Sequence, residues 1–218
     1  MLRKFATKVQ TATGERKLDI SWYDEKKNTF ELVDLADLYG FYLLSAGTNF
    51  KGKTVKLGAD IAINTGDAAT FATNAPENIW MPISAGLAFA GTFDGQGHRI
   101  LNLVINRPTE NIQGLFGYLR GNSDSNTRVC NLIIDKSCSF TAHHQVGAIA
   151  GCSQGNQGLI TLENIVNEAN VTAEGGTDAA ALVGGQTGNA PTWRIRNIVN
   201  TGAITSTAAD VYAGVIAG

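Results

Sequence analysis

The chain has 218 residues, 17% of them charged, a formal net charge of −2, 25 glycines and only 4 prolines. That charge content lies below the usual quarter or so of a globular protein, and the many β-branched residues exclude a disordered polyelectrolyte. Residues 1–60 carry net +2 and the remainder net −4, so neither half holds the basic field that nucleic-acid binding or a polybasic membrane patch requires.

The opening "MLRKFATKVQ" has basic residues but no apolar h-region of a signal peptide, and no run of 18 or more apolar residues predicts membrane insertion. Residues 1–19 read as an N-terminal extension or linker, and 20–98 as a capping region followed by first coils. "NTFEL" predicts a short strand. "DLADLYGFYLLSAG" has helical spacing at Leu35, Leu38 and Tyr42, with Asp34 as N-cap, Asp37 in the first turn and Gly47 as the natural stop. "KTVKLGADIAI" alternates as a strand does, and residues 64–80 are loop-like.

From residue 99 the sequence repeats. "RILNLVI", "RVCNLII", "TLENIVN" and "RIRNIVN" align on Asn102, Asn131, Asn164 and Asn197, spaced 29, 33 and 33. "QGLFG", "VGAIAG", "LVGG" and "AGVIAG" align on Gly117, Gly151, Gly185 and Gly218, spaced 34, 34 and 33. A third short segment sits between them as "SFTA", "NVTA" and "AITS", while the first unit has "RPTENI". A unit of about 33 residues with three short strands and no helix can bury its apolar side only by stacking on its neighbours. The fold class expected is therefore all-β, a right-handed parallel β-helix over 99–218 with an N-terminal helical cap. In this reading the asparagines form a ladder at one bend, the glycines supply positive φ at sharp turns, and Leu103, Leu132, Ile165 and Ile198 point inward. The chain stops on the closing strand of a unit, so the natural protein is expected to continue beyond Gly218, and the bare last coil to associate end to end.

"GLFG" at 114–117, "VGAIAG" at 146–151 and the Asn-Leu and Asn-Ile anchors resemble the GLUG-motif repeat of bacterial surface proteins. The lead-in fits the same family: Trp22–Tyr23, Phe30 to Leu44, Phe50 to Ile63, Trp80–Ile83 and "GTFDGQGHRILNLVI" at 91–105. The resemblance covers roughly residues 20–218; the later repeats keep the glycines and lose the rest of the motif. It implies a secreted or cell-surface protein, adhesin-like or the non-catalytic part of an immunoglobulin A peptidase. It also implies a helical cap over the open end, and it assigns no catalytic residue.

Several residues have side chains that could carry chemistry. Asp94 and His98 could do acid–base work, but Asp94–Gly95 is also simply a turn. "GCSQG" at 151–155 has the G-x-S-x-G spacing around Ser153, with no helix predicted after it. His143–His144 lacks a third ligand, and Asn122, Asp124 and Asn126 fail as a calcium loop because its twelfth position is Ile133. Cys130, Cys138 and Cys152 form neither a disulfide framework nor a zinc site. Glu163 and Arg196 are equivalent in the repeat, as are Thr161 and Arg194, with Cys130 and Leu101 in the Glu163 column. Trp193 and Tyr212 are the repeat-zone aromatics a sugar could stack on. The expected role is structural or adhesive, without cofactor, metal or catalysis of its own, toward host or self glycans or surface proteins. A carbohydrate-active lyase or hydrolase, and a stalk carrying a catalytic domain encoded elsewhere, remain as alternatives.

Overall fold

The computed structural model describes residues 8–11, 14–66, 70–71, 76, 78–175, 178–188, 191–207 and 212–214. Gly218 and the closing "VIAG" lie outside that set. Among the described residues, apart from an antiparallel pair, Lys8–Thr11 with Gly14–Lys17, and an isolated antiparallel bridge between Asn122 and Gln157, every strand pairing is parallel and joins one coil to the next. The protein is a parallel β-helix of three sheets.

The first sheet stacks Thr29–Leu32, Thr54–Leu57, Thr92–Asp94, Asn126–Ile134, Leu159–Asn167 and Thr192–Asn200, with Ile61–Ala62 and Arg99–Leu101 alongside. The second contains Val104–Gln113, Ser139–Gly147, Asn170–Ala173, Asp178–Ala180, Ile204–Ser206 and Tyr212–Gly214. The third contains Phe116–Asn122, Ala150–Asn156 and Val183–Gly188. Alternation along each strand aims every second side chain inward, and the in-register stacking turns those positions into columns. Phe30, Val55, Phe93, Val129, Leu162 and Ile195 make one such column in the first sheet. Ile105, Phe140, Val171 and Ile204 make another in the second, and Phe116, Ala150 and Val183 one in the third. All are buried except Ile195 and Ile204, which are half-buried in the last coil.

The helix Leu35–Ser45 closes the N-terminal end of this stack. The Asp34 carboxylate accepts the Asp37 N–H at 3.0 Å, and Asp37 accepts the Val33 N–H at 2.9 Å, a reciprocal cap of the first turn. Burial holds the Asp37 carboxyl above its usual range, against the hydrogen bond from Val33. Leu38 and Phe41 are fully buried under the helix. Gly40 is required by close approach, since a Cβ there would lie 1.8 Å from the Asp19 carbonyl oxygen. The helix does not stop on Gly47: its C-cap is Ala46 in the right-handed region, and Gly47 only continues the turn with an N–H donated to Leu44.

Register departs from the sequence alignment in two places. A two-residue excursion at Gly95–His98 displaces the first unit, so Arg99 lies beside Ile133 rather than Arg128. Asp94 consequently stands beside Cys130, where the sequence alignment puts Leu101. In the third sheet Cys152 pairs with Gly185, so Gly184, not Gly185, continues the column of Gly117 and Gly151. None of these glycines has positive φ. They are needed because the chain passes directly over other backbone: a Cβ on Gly151 would lie 2.4 Å from the Ile112 carbonyl carbon, and one on Gly184 2.3 Å from the Val146 nitrogen. The sharp bends are made by other residues, among them Ile112 (φ 61°), Gln145 (φ 55°) and the repeat asparagines.

Candidate functional site: the outer face of the first sheet

On the outer face, Thr161 and Glu163 lie beside Arg128 and Cys130 on one side and beside Arg194 and Arg196 on the other. Toward the cap the same columns continue through Thr92 and Asp94, Thr54 and Lys56, then Thr29 and Glu31. At the bend, Asn131, Asn164 and Asn197 all adopt left-handed backbone, with φ of 52°, 54° and 51°. Asn197 donates its amide to Asn164 Oδ1 at 2.8 Å, Asn164 to Asn131 Oδ1 at 2.8 Å, and Asn131 to Asp94 Oδ1 at 2.9 Å. The ladder therefore has a carboxylate at its head. Asn102 stands outside it. Its φ is also positive, at 53°, but its amide donates to the Asn64 carbonyl at 2.8 Å and receives the Asn64 amide on its own carbonyl at 3.0 Å.

A second ladder is not anticipated by the repeat alignment. Asn167, fully buried, donates to Asn200 Oδ1 at 2.8 Å and to the Ala169 carbonyl at 3.0 Å. Its signal is present in "NIVN" at 164–167 and 197–200, whose two asparagines each recur 33 residues on.

Beyond the bend, Ile133, Val166 and Val199 form an aliphatic strip, Val199 with 49% of its surface exposed. With Asn131, Asn164, Gln96 and Gly97 two of these line an open groove of about 530 Å³. Past the strip, the Arg99 guanidinium bridges Asp135 and Glu168, reaching Glu168 Oε2 at 3.0 Å. Burial acts to raise the Asp135 carboxyl, and hydrogen bonds from Ser137 and Arg99 outweigh it and hold it low.

The candidate catalytic groups are otherwise engaged. Asp94 accepts hydrogen bonds from the Gln96 backbone, the Gln96 amide and Asn131. Burial pushes its carboxyl up, and these bonds bring it below its usual value. His98 turns to Asp60 instead, Nδ1 to Oδ1 at 3.1 Å. Ser153 is fully buried in mid-strand, with a hydroxyl that makes no hydrogen bond, so the strand–turn–helix geometry of a nucleophile elbow is absent around it. His143 meets Asn111 and His144 faces Asp178. Asp124 ties Lys51 at 2.8 Å and Arg120 at 3.5 Å, and Ser125 closes the turn on the Asn122 carbonyl. Among the described residues no group of three or more His, Cys, Asp or Glu could hold a metal ion. Burial pushes the Cys130 and Cys152 thiols up to about 11 and Cys138 to about 12, which keeps them protonated. Trp193 is half-buried and packs against the core rather than on the outer face. The Tyr212 side chain lies outside the described set.

No family model matches the chain. Among curated proteins it is similar to halomucin of Haloquadratum walsbyi (strain DSM 16790 / HBSQ001), 34% identical over 159 residues, which is 72% of this chain and 2% of that protein. Among solved structures it is similar to a Bacteroides ovatus protein described as a putative immunoglobulin A1 protease, with a TM-score of 0.58 and 20% identity. That match covers 89% of this chain and 62% of the other. The chain thus spans a small part of the first protein and less than two thirds of the second, and the structural likeness establishes the parallel β-helix fold that the two share.

Proposed function

We propose that the chain is a structural or adhesive β-helix module of a secreted or cell-surface protein of the GLUG-motif repeat type, without catalysis of its own. The observation that carries this reading is the use of the outer polar residues. Asp94, Asn131, Asn164 and Asn197 are joined in one ladder along the stack, and Glu163 is held by Arg128 at 2.9 Å. A glycosidase of the same shape needs one carboxyl kept protonated opposite a second. Asp94 and Glu163 share a column two coils apart, but Asp94 is shifted toward ionisation and Glu163 is ion-paired. The mucin in the name of the halomucin relative supports an extracellular setting. A second reading, a stalk that positions a catalytic domain encoded elsewhere, draws support from the fold shared with the Bacteroides ovatus protein.

The test measures retention of the chain on mucin-coated and polysaccharide-coated surfaces, together with product release from a panel of polysaccharides and esters. The expected result is retention without turnover. Turnover that disappears in Asp94→Asn or Ser153→Ala would replace this reading with an enzymatic one.

A further inference from the structure

We propose that the outer face of Asn126–Ile134, Leu159–Asn167 and Thr192–Asn200 binds an anionic polysaccharide, with Arg194 and Arg196 as its anion-binding groups. The inference rests on the adhesive reading and names the ligand class for it.

The arginines of the chain differ in their partners. Arg99, Arg107, Arg120 and Arg128 each have a carboxylate within 4.0 Å. Arg194 and Arg196 have none among the described residues, and both are exposed. They alternate along one strand and so share a face, about 7 Å apart at two residues of roughly 3.4 Å each. In a chain of net charge −2, this end of the face holds Arg128, Arg194 and Arg196 against Glu163 alone. A guanidinium presents a planar fork of donors that matches the paired oxygens of a carboxylate or a sulfate ester.

The surface beside these arginines suits a sugar. In the ladder, Asn164 uses one N–H and one acceptor site on its neighbours. A side-chain amide has two N–H groups and two lone pairs, so a donor and an acceptor remain for a ligand. Hydroxyls need both. Val166 and Val199 flank the amides with aliphatic surface suited to the C–H side of a sugar ring. Trp193 packs toward the core, so this face has no ring for a neutral sugar to stack on, and charge must supply the affinity.

The spacing of the coils selects a polysaccharide over an acidic peptide. The amides recur once per coil, about 4.8 Å apart, whereas side chains on one side of an extended peptide recur at about 6.8 Å. A peptide laid along the axis falls out of step within two coils. A sugar chain carries hydroxyls on every ring and meets the amides at any register.

The experiment titrates the full chain with polygalacturonate (carboxylate only), dextran sulfate (sulfate only), neutral dextran and poly-glutamate, at low and at physiological salt. Expected is salt-sensitive binding of polygalacturonate or dextran sulfate, the better of the two identifying the anion, with no binding of dextran. The double variant Arg194→Ala/Arg196→Ala should weaken it by about tenfold or more, and the Lys/Lys variant by less, because the fork is lost while the charge stays. Lys26→Ala, an exposed lysine in the turn before Thr29–Leu32, should change it by less than about twofold. Unaltered thermal unfolding of the double variant shows that its fold is intact, as two exposed side chains predict. The proposal is overturned if neither anionic polysaccharide binds, if the double variant keeps the wild-type affinity, or if poly-glutamate binds as tightly. Retention on mucin-coated surfaces that survives loss of both arginines would overturn this inference alone and leave the adhesive reading standing. No retention on any surface would overturn both.

Discussion

The capped end and the repeating end of this solenoid fill their interiors by opposite means. At the cap, Trp22, Tyr23, Phe30, Phe41, Phe50, Phe89, Phe93 and Phe116 form a continuous ring network, with centroids 4.8 Å apart for Phe41–Phe50 and 5.0 Å for Phe89–Phe116. In the later coils most column positions are Val, Leu, Ile and Ala, Trp193 packs against the core beside Ile160, and no phenylalanine follows Phe140. The helix meets the coils at this one end, and large rings in edge-to-face contact fill such an irregular space. A coil must present the same narrow profile on both sides, which favours small side chains, glycine where backbones touch, and amide ladders at the bends.

The largest loss of stability is expected from Phe41→Ala. Phe41 is fully buried and touches the rings of Phe50, Phe89, Phe93 and Phe116, so its loss leaves a cavity where the cap meets the coils. A loss of about 3–5 kcal/mol is expected in urea unfolding. A shift below about 1 kcal/mol would mean that the coils stand without their cap.

Asn164→Ala tests the other end and should cost about 1–2 kcal/mol. Two side-chain hydrogen bonds disappear, but they lie at an exposed position, and part of the cost is the left-handed backbone that alanine tolerates poorly. Asn164→Gly separates the two terms, since glycine keeps the conformation and loses only the bonds. If Asn164→Gly unfolds at the wild-type midpoint, the ladder contributes nothing and the asparagines are there for their backbone.

The same contrast explains what can be read from the sequence. Coil length, parallel stacking, the cap helix with Asp34, and the bend at Asn131, Asn164 and Asn197 are legible, because repetition at 33 residues reports register directly. The first unit misaligns because Asn102 also has positive φ and is followed by an apolar residue, so it imitates a ladder position. Only its spacing of 29 marks the irregularity at Gly95–His98, which local pattern cannot place. The glycines are legible as structural columns at Gly117 and Gly151, but their reason lies in backbone contact across coils, which no local turn rule contains. The outer-face arginines are legible as equivalents of Thr161 and Glu163. That Arg194 and Arg196 have no carboxylate partner among the described residues is a property of the stacked coils, and spacing does not carry it.

The smallest expected effect falls where cap-side coils and repeats meet, at the head of the ladder. Burial raises the Asp94 carboxyl, and the hydrogen bonds from Asn131 and Gln96 more than offset it, so its folded pKa lies below the unfolded value of about 3.9. A carboxyl depressed in this way contributes stability that is present above the unfolded pKa and lost as pH falls through the folded one. Asn at position 94 still offers an oxygen to the Asn131 amide and to the Gln96 N–H, so the ladder keeps its head; the charge goes, and the bond from Gln96 Nε2 to Oδ2 survives only if that amide turns to present its oxygen to the new NH2. Asp94→Asn should therefore be less stable than wild type by about 1 kcal/mol at pH 7, the difference between a charged and a neutral acceptor at a partly exposed site. Below about pH 4 the two proteins should converge as the wild-type carboxyl takes up its proton. Chemical denaturation of both across the acid range reads the effect directly. A gap that stays constant with pH would show that the mutation acts through the shape of the Gly95–His98 turn, and that the carboxylate gives the ladder no electrostatic support.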